Sequence, residues 1–211
     1  MSTRHHLRRS LSAALPVVLL AVLTAGCADE GRTAPKASPK ERISMDMQQA
    51  GNRAEEILDD TLGAIKPPVS WAYYTPGQMA CSDGLNRPTG TTNVQRSRNV
   101  TTAVSPQRRG AFLGLVQRHW QQRGYRMVSV DTDKDMPAID AQTPDGFAVS
   151  LGVGDKGNIF FDVSSPCVKP SAMTYPKGTP GTPGNPPDPA PLTPRKDSPF
   201  WASPDPLPSR Q

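Results

Sequence analysis

The sequence predicts an α+β domain, an antiparallel sheet of about five to six strands packed against two helices, in the order α-β-β-α-β-β-β-β. Three observations predict it. Apolar residues recur every three or four positions in two separate segments, the span 147–153 alternates apolar with polar, and strong turn signals divide the second half into short runs.

The first helix is expected from Ser38, which suits the N-cap, with Pro39 at the first helical position and Glu41 closing a capping box. Its inward stripe is Ile43, Met47, Ala50, Ala54, Ile57, Leu58, Thr61, Leu62 and Ile65, and Pro67-Pro68 ends it. Residues 69–74 are aromatic and β-branched and read as a strand. Residues 84–93 read as a loop, and 94–104 as a second strand with Val94, Val100 and Val104 on one parity. Ser105-Pro106 opens the second helix. Ala111, Phe112, Leu115, Val116, His119 and Trp120 share its inner face, and Gly124 sits where a left-handed C-terminal residue belongs. Four strands follow, near 125–131, 138–143, 147–153 and 159–164. Asp145-Gly146 and Gly154-Asp155-Lys156-Gly157 supply hairpin turns.

The folded domain is thus expected over 39–168. The chain has 211 residues and 24 prolines, of which 13 fall in residues 170–211. Such a composition buries too little apolar surface to offset chain entropy, so 169–211 is expected to be a disordered or polyproline-like tail. Phe200-Trp201 is its one aromatic pair, either an exposed accident or a short docking peptide for a partner or for the domain itself.

At the other end, Arg4, Arg8 and Arg9 precede an apolar run over 15–23 and then small residues, the three-part order of a secretory signal. The run is too short to cross a hydrocarbon layer of ~30 Å as a helix. Leu23-Thr24-Ala25-Gly26-Cys27 resembles the lipobox of bacterial lipoproteins. The resemblance implies removal of residues 1–26 and acylation of Cys27 with chains such as palmitate. It places the protein on the outer face of the cytoplasmic membrane, with 27–38 as a flexible tether. In its general plan the chain also resembles small actinomycete lipoproteins of unknown function, which bring no chemistry with them.

The formal charge of +5 becomes +2 once the leader, with its three arginines and no acid, is removed. Neither that balance nor export favours a nucleic-acid partner. Cys81 and Cys167 are then the remaining cysteines. Outside the cytoplasm they are expected to form a disulfide tying the two ends of the sheet; two free thiols, or a redox or metal pair, are the other readings.

Catalytic signals are sparse. His119 is the only histidine beyond the leader, with no nucleophile motif beside it. It reads as a packing histidine or, failing that, a general base. Asp131, Asp133 and Asp135 resemble the start of a calcium loop, but Met136 and Gln142 stand where that loop requires glycine and glutamate. An acidic turn or loose calcium binding remains. No cofactor and no metal site are expected.

Charge is segregated along the chain. Residues 84–130 hold eight arginines and no acid, whereas 131–162 hold seven aspartates. Either the two segments pair inside the fold, or the arginines form a contact face, with Arg96, Arg98, Arg108 and Arg109 as its candidates. On the second reading the partners are anionic lipid, a wall polymer or an envelope protein. The expected function is therefore a membrane-anchored, non-enzymatic binding module at the cell envelope. The alternatives are a structural spacer acting through its proline-rich tail and an enzyme using carboxylates such as Asp131 and Asp133.

Overall fold

The computed structural model describes residues 45–205. The leader, Cys27, the tether, the expected helix start at Ser38 and residues 206–211 lie outside that range.

Helix α1 spans Met47–Gly63. Its N-cap is Asp46, not Ser38: the Asp46 carboxylate accepts from the Gln49 amide at 2.8 Å, and the Gln49 side chain accepts from the Asp46 amide at 3.0 Å. That closes a capping box one turn beyond the first apolar residue of the expected stripe. Ala50, Ala54, Ile57 and Leu58 are buried beneath it, as the periodicity requires.

Strands β1 (Trp71–Tyr73), β2 (Gly77–Ser82) and β3 (Pro88–Val100) follow. Here the sequence reading needs correction. Residues 77–82 form a strand that was not expected, and β3 begins within the expected loop, so β2 and β3 make a long hairpin. Helix α2 (Pro106–Gln122) opens after Ser105. Gly124 follows it with φ of 76°, a conformation glycine adopts without steric cost. The meander of β4 (Arg126–Asp131), β5 (Ala138–Gln142), β6 (Ala148–Val153) and β7 (Ile159–Ser164) completes the fold.

All strands join one antiparallel sheet of seven, in the order β1-β3-β7-β6-β5-β4, with β2 pairing β3 beside β1. Both helices cover the same face, α1 over β3 and β7 and α2 over β4 and β5. The core lies between them: Val94 and Val100 of β3, Phe161 and Val163 of β7, Val149 and Leu151 of β6 and Ile139 of β5 meet Ile57, Leu58, Phe112, Val116 and Trp120. Side chains of opposite parity point to the other, largely open face.

Cys81 and Cys167 are joined by a disulfide with a Cα–Cα distance of 6.3 Å. It does not tie the two ends of the sheet. Cys81 lies in β2 on one side of β3, while Cys167 adjoins Val168, which exchanges hydrogen bonds with Thr92 of β3. The bridge therefore straps the β2–β3 hairpin to the chain leaving β7.

The tail contains no helix or strand up to residue 205, yet it is laid on the domain rather than free of it. Gly178 lies against Tyr73 of β1 and Gly181 against Thr75, so the tail rounds the short edge of the sheet. The amides of Arg195 and Lys196 then donate to the Thr101 carbonyl, and the Ala103 amide to the Lys196 carbonyl. Trp201 is 1% exposed and meets Phe112 edge-on at 5.1 Å between ring centres. Proline suits this path because an edge covering needs few amide donors and must not propagate pairing. Of the readings of Phe200-Trp201, docking onto the domain itself is the one the structure adopts.

Candidate functional site

The arginines of the acid-free stretch do not form the expected face. Arg96 and Arg98 share the parity of Val94 and Val100 and point under α1, where they are 2% and 1% exposed. Both meet one carboxylate: Glu55 of α1 lies 3.2 Å from Arg96 Nε and pairs with Arg98 Nη2. Aromatic rings flank them, Tyr73 and Trp71 at 4.0 and 4.6 Å from the Arg98 guanidinium carbon and Tyr175 at 4.8 Å from that of Arg96. Gly51 lets the helix close on this layer, since a Cβ there would come within 2.6 Å of Arg96 Nη2. Burial pushes the Arg96 pKa down, and Glu55 opposes the shift. Arg108 is buried under the Phe200 ring at 5.0 Å. Arg109 donates to the Asp135 carbonyl at 2.8 Å. Nor do the arginines pair chiefly with the aspartates of 131–162. It is the acids of α1, Glu55 and Asp60, that meet Arg96, Arg98 and Arg123.

His119 sits on α2 with its Nε2 2.8 Å from Asp60 Oδ2, and Arg123 Nε donates to the same oxygen at 2.9 Å. Burial alone would raise the Asp60 pKa, but the bonds from Arg123 and His119 outweigh it and hold the carboxyl below its ordinary range. Beside this triad a cleft of about 570 Å³ is lined by Arg53, Glu56, Tyr125 and Asp145 among others. Arg53 and Asp145 are paired at 2.8 Å. The lining offers matched charges and no serine, threonine or cysteine to act as nucleophile.

The acidic turn is spent on its own backbone. Asp131 accepts from the Asp133 amide, and Asp133 accepts from the amides of Asp135 and Met136, which lower the Asp133 pKa. Among the described residues no group of three histidine, cysteine or acidic side chains is placed to hold a metal ion.

The open face of the sheet carries an arrangement that the sequence did not announce. Ser97, Asp162, Ser150, Asp140 and Ser129 stand directly opposite one another on β3, β7, β6, β5 and β4. At ~4.8 Å per strand this row of alternating hydroxyls and carboxylates spans about 19 Å. Ser150 and Ser129 donate to the two oxygens of Asp140 at 2.6 and 2.5 Å. Ser97 and Gln95 both donate to Oδ1 of Asp162. The residue pattern alone does not reveal the row, because it depends on the register of four strand pairs.

At the β3–β7 end of the row Leu192 of the tail stands at the rim of a half-open cavity of about 210 Å³. Tyr74, Phe160 and Leu192 form its apolar walls, and Ser97, Asn99, Asn158 and Asp162 its polar floor. Asn99 is 4% exposed, and its Nδ2 has no hydrogen-bond partner. Phe160 leans across β6 onto Gly152, where a Cβ would approach its Cζ to 2.6 Å. The cavity thus combines a buried, unpaired donor, a carboxylate acceptor and two aromatic rings, a set suited to holding a small polar molecule.

The fold defines the chain as an antiparallel α+β domain with helices on one face. Comparison with protein-family models and with curated proteins gives no match. Among solved structures, a DUF4853 family protein from Actinomyces odontolyticus is similar at a TM-score of 0.40 and 13% identity, over 61% of this chain and 72% of that one.

Proposed function

We propose that the chain is an exported lipoprotein, held on the outer face of the cytoplasmic membrane by an acylated Cys27, and that its domain is a non-enzymatic binding module of the cell envelope. The observation that carries the anchor is Leu23-Thr24-Ala25-Gly26-Cys27 standing directly after an arginine-led apolar run. The Cys81–Cys167 bridge fits an oxidising compartment. Among the described residues no helix is long and apolar enough to cross a membrane, so anchoring would fall to the lipid.

Two features favour binding over catalysis. The one histidine beyond the leader is engaged by Asp60, and the cleft beside it is lined by charge pairs. The burial of Arg96 and Arg98 favours a contact face on the open side of the sheet over one built on those arginines. Its carboxylates Asp140 and Asp162 favour a hydroxyl-bearing wall polymer over anionic lipid. The tail's aromatic residues are spent on the domain itself, which disfavours a spacer acting through that pair.

Fractionation of cells carrying the wild-type chain or Cys27→Ala tests the reading. The wild type should sediment with membranes and be open to added protease on spheroplasts; Cys27→Ala should be released outside the membrane. Wild-type protein in the cytosol would overturn it.

A further inference from the structure

We infer that the cavity between Phe160, Tyr74 and Leu192 is a subsite for one neutral sugar ring of a longer saccharide, an inference that rests on the reading of the domain as a binding module. Size sets the first limit. About 210 Å³ is below the ~300–1,000 Å³ of pockets for drug-sized ligands, so a single ring is what fits.

Charge and hydrogen bonding set the second. The lining has one carboxylate, Asp162, and no cationic side chain, which excludes phosphates and other anions. One carboxylate is also far short of the six to eight oxygens a calcium ion gathers. Both protein donors to Asp162 land on Oδ1, which leaves Oδ2 without a protein donor among the described residues. A ligand that donates to Asp162 and accepts from Asn99 Nδ2 would satisfy both groups. A hydroxyl does both, and adjacent hydroxyls on one ring reach both groups while the ring's C–H faces meet Tyr74 and Phe160.

Extension comes from the row. From Asp162 the hydroxyls and carboxylates of Ser150, Asp140 and Ser129 continue across three further strands. Neighbouring units of a polymer would lie along them, with the cavity as the anchor point.

The test titrates the full chain, in a detergent without a sugar headgroup, with chitotriose, maltotriose, inorganic phosphate and an uncharged alanine–glycine peptide. Calorimetry gives affinity, and saturation-transfer NMR reports which ligand protons touch protein. A trisaccharide should bind with a Kd of order 0.1–1 mM, with saturation strongest on the protons of one ring. Asn99→Ala and Phe160→Ala should each weaken it at least about tenfold, and Arg118→Ala, on the exposed side of α2, should leave it unchanged. If either pocket variant fails to melt cooperatively, Leu192→Ser replaces it, since that side chain is 40% exposed and lines the cavity from the tail side. Saccharide binding unaffected by folded variants, no saccharide binding, or preference for peptide or phosphate each overturns the subsite. Sedimentation with purified cell-wall sacculi separates the two claims. Wild type and Asn99→Ala retained equally would sink the subsite and leave the binding module standing; a wild type not retained, with no ligand bound, would sink both.

Discussion

The indole nitrogen of Trp201 donates a hydrogen bond to the carbonyl oxygen of Pro67 at 2.7 Å, joining residues 134 positions apart. Pro67 lies just beyond α1, so this contact closes the tail over the end of the first helix and over Phe112 of α2. Trp201→Ala should therefore cost about 3–5 kcal/mol, as for a buried core aromatic. Trp201→Phe keeps most of the packing but leaves the Pro67 oxygen unpaired, at about 1–3 kcal/mol. Urea unfolding of the two variants checks both values; a wild-type midpoint for Trp201→Ala would mean that the tail does not dock.

Glu55 holds two buried guanidiniums. Removing its charge leaves Arg96 without a carboxylate and Arg98 with only Asp59, at 3.8 Å, and Glu55→Gln should destabilise by about 3–5 kcal/mol. Replacing the whole set with Glu55→Leu, Arg96→Met and Arg98→Met should recover much of that loss, because no charge of this set then remains buried. Denaturant midpoints of the single and triple variants decide it.

Acid should loosen the α1–α2 contact. Asp60 and Asp145 are both buried enough to have raised pKa values. Instead, Arg123 and His119 hold Asp60 below the ordinary range, and Thr143 and Arg53 do the same for Asp145. A carboxyl with a lowered folded pKa adds stability above its unfolded value, near 3.9, and loses it as the pH falls through the folded value. The wild type should lose stability progressively below about pH 5, and Asp60→Asn should be weaker at pH 6.5 but flatter toward pH 3. Thermal melts across that range measure the difference in slope.

The disulfide closes a separation of 86 residues. By the chain-entropy relation, Cys81→Ser with Cys167→Ser should cost about 4.5 kcal/mol. Guanidinium unfolding of the double variant against the oxidised wild type gives the value.

The sequence order of helices and strands was legible because α2 and the β5–β7 meander have strong periodicity and explicit turns. Strand β2 was missed because Gly77, Gln78, Met79, Ala80 and Ser82 offer no β-branched alternation, and Cys81 is the single buried residue in it. The helix start was misplaced because Ser38-Pro39-Lys40-Glu41 carries every local cap signal, whereas α1 is capped by Asp46 with Gln49 closing the box. The inward arginines were readable in principle. Arg96 and Arg98 share the parity of Val94 and Val100, and that parity defined the core face before any charge was considered. Composition made the tail look free, since docking by two aromatic rings and a few backbone hydrogen bonds leaves little trace in residue content. Asn99 and the serine–aspartate row became visible only with strand register, which local sequence does not specify.

The mature amino terminus offers the most direct test of the whole account. Mass spectrometry of protein extracted from membranes should find a chain that begins at Cys27, with residues 1–26 absent and an acyl-bearing lipid on its sulfur. An unmodified Cys27 thiol in a chain that still carries residues 1–26 would contradict the anchor, and with it the placement of the binding domain in the envelope.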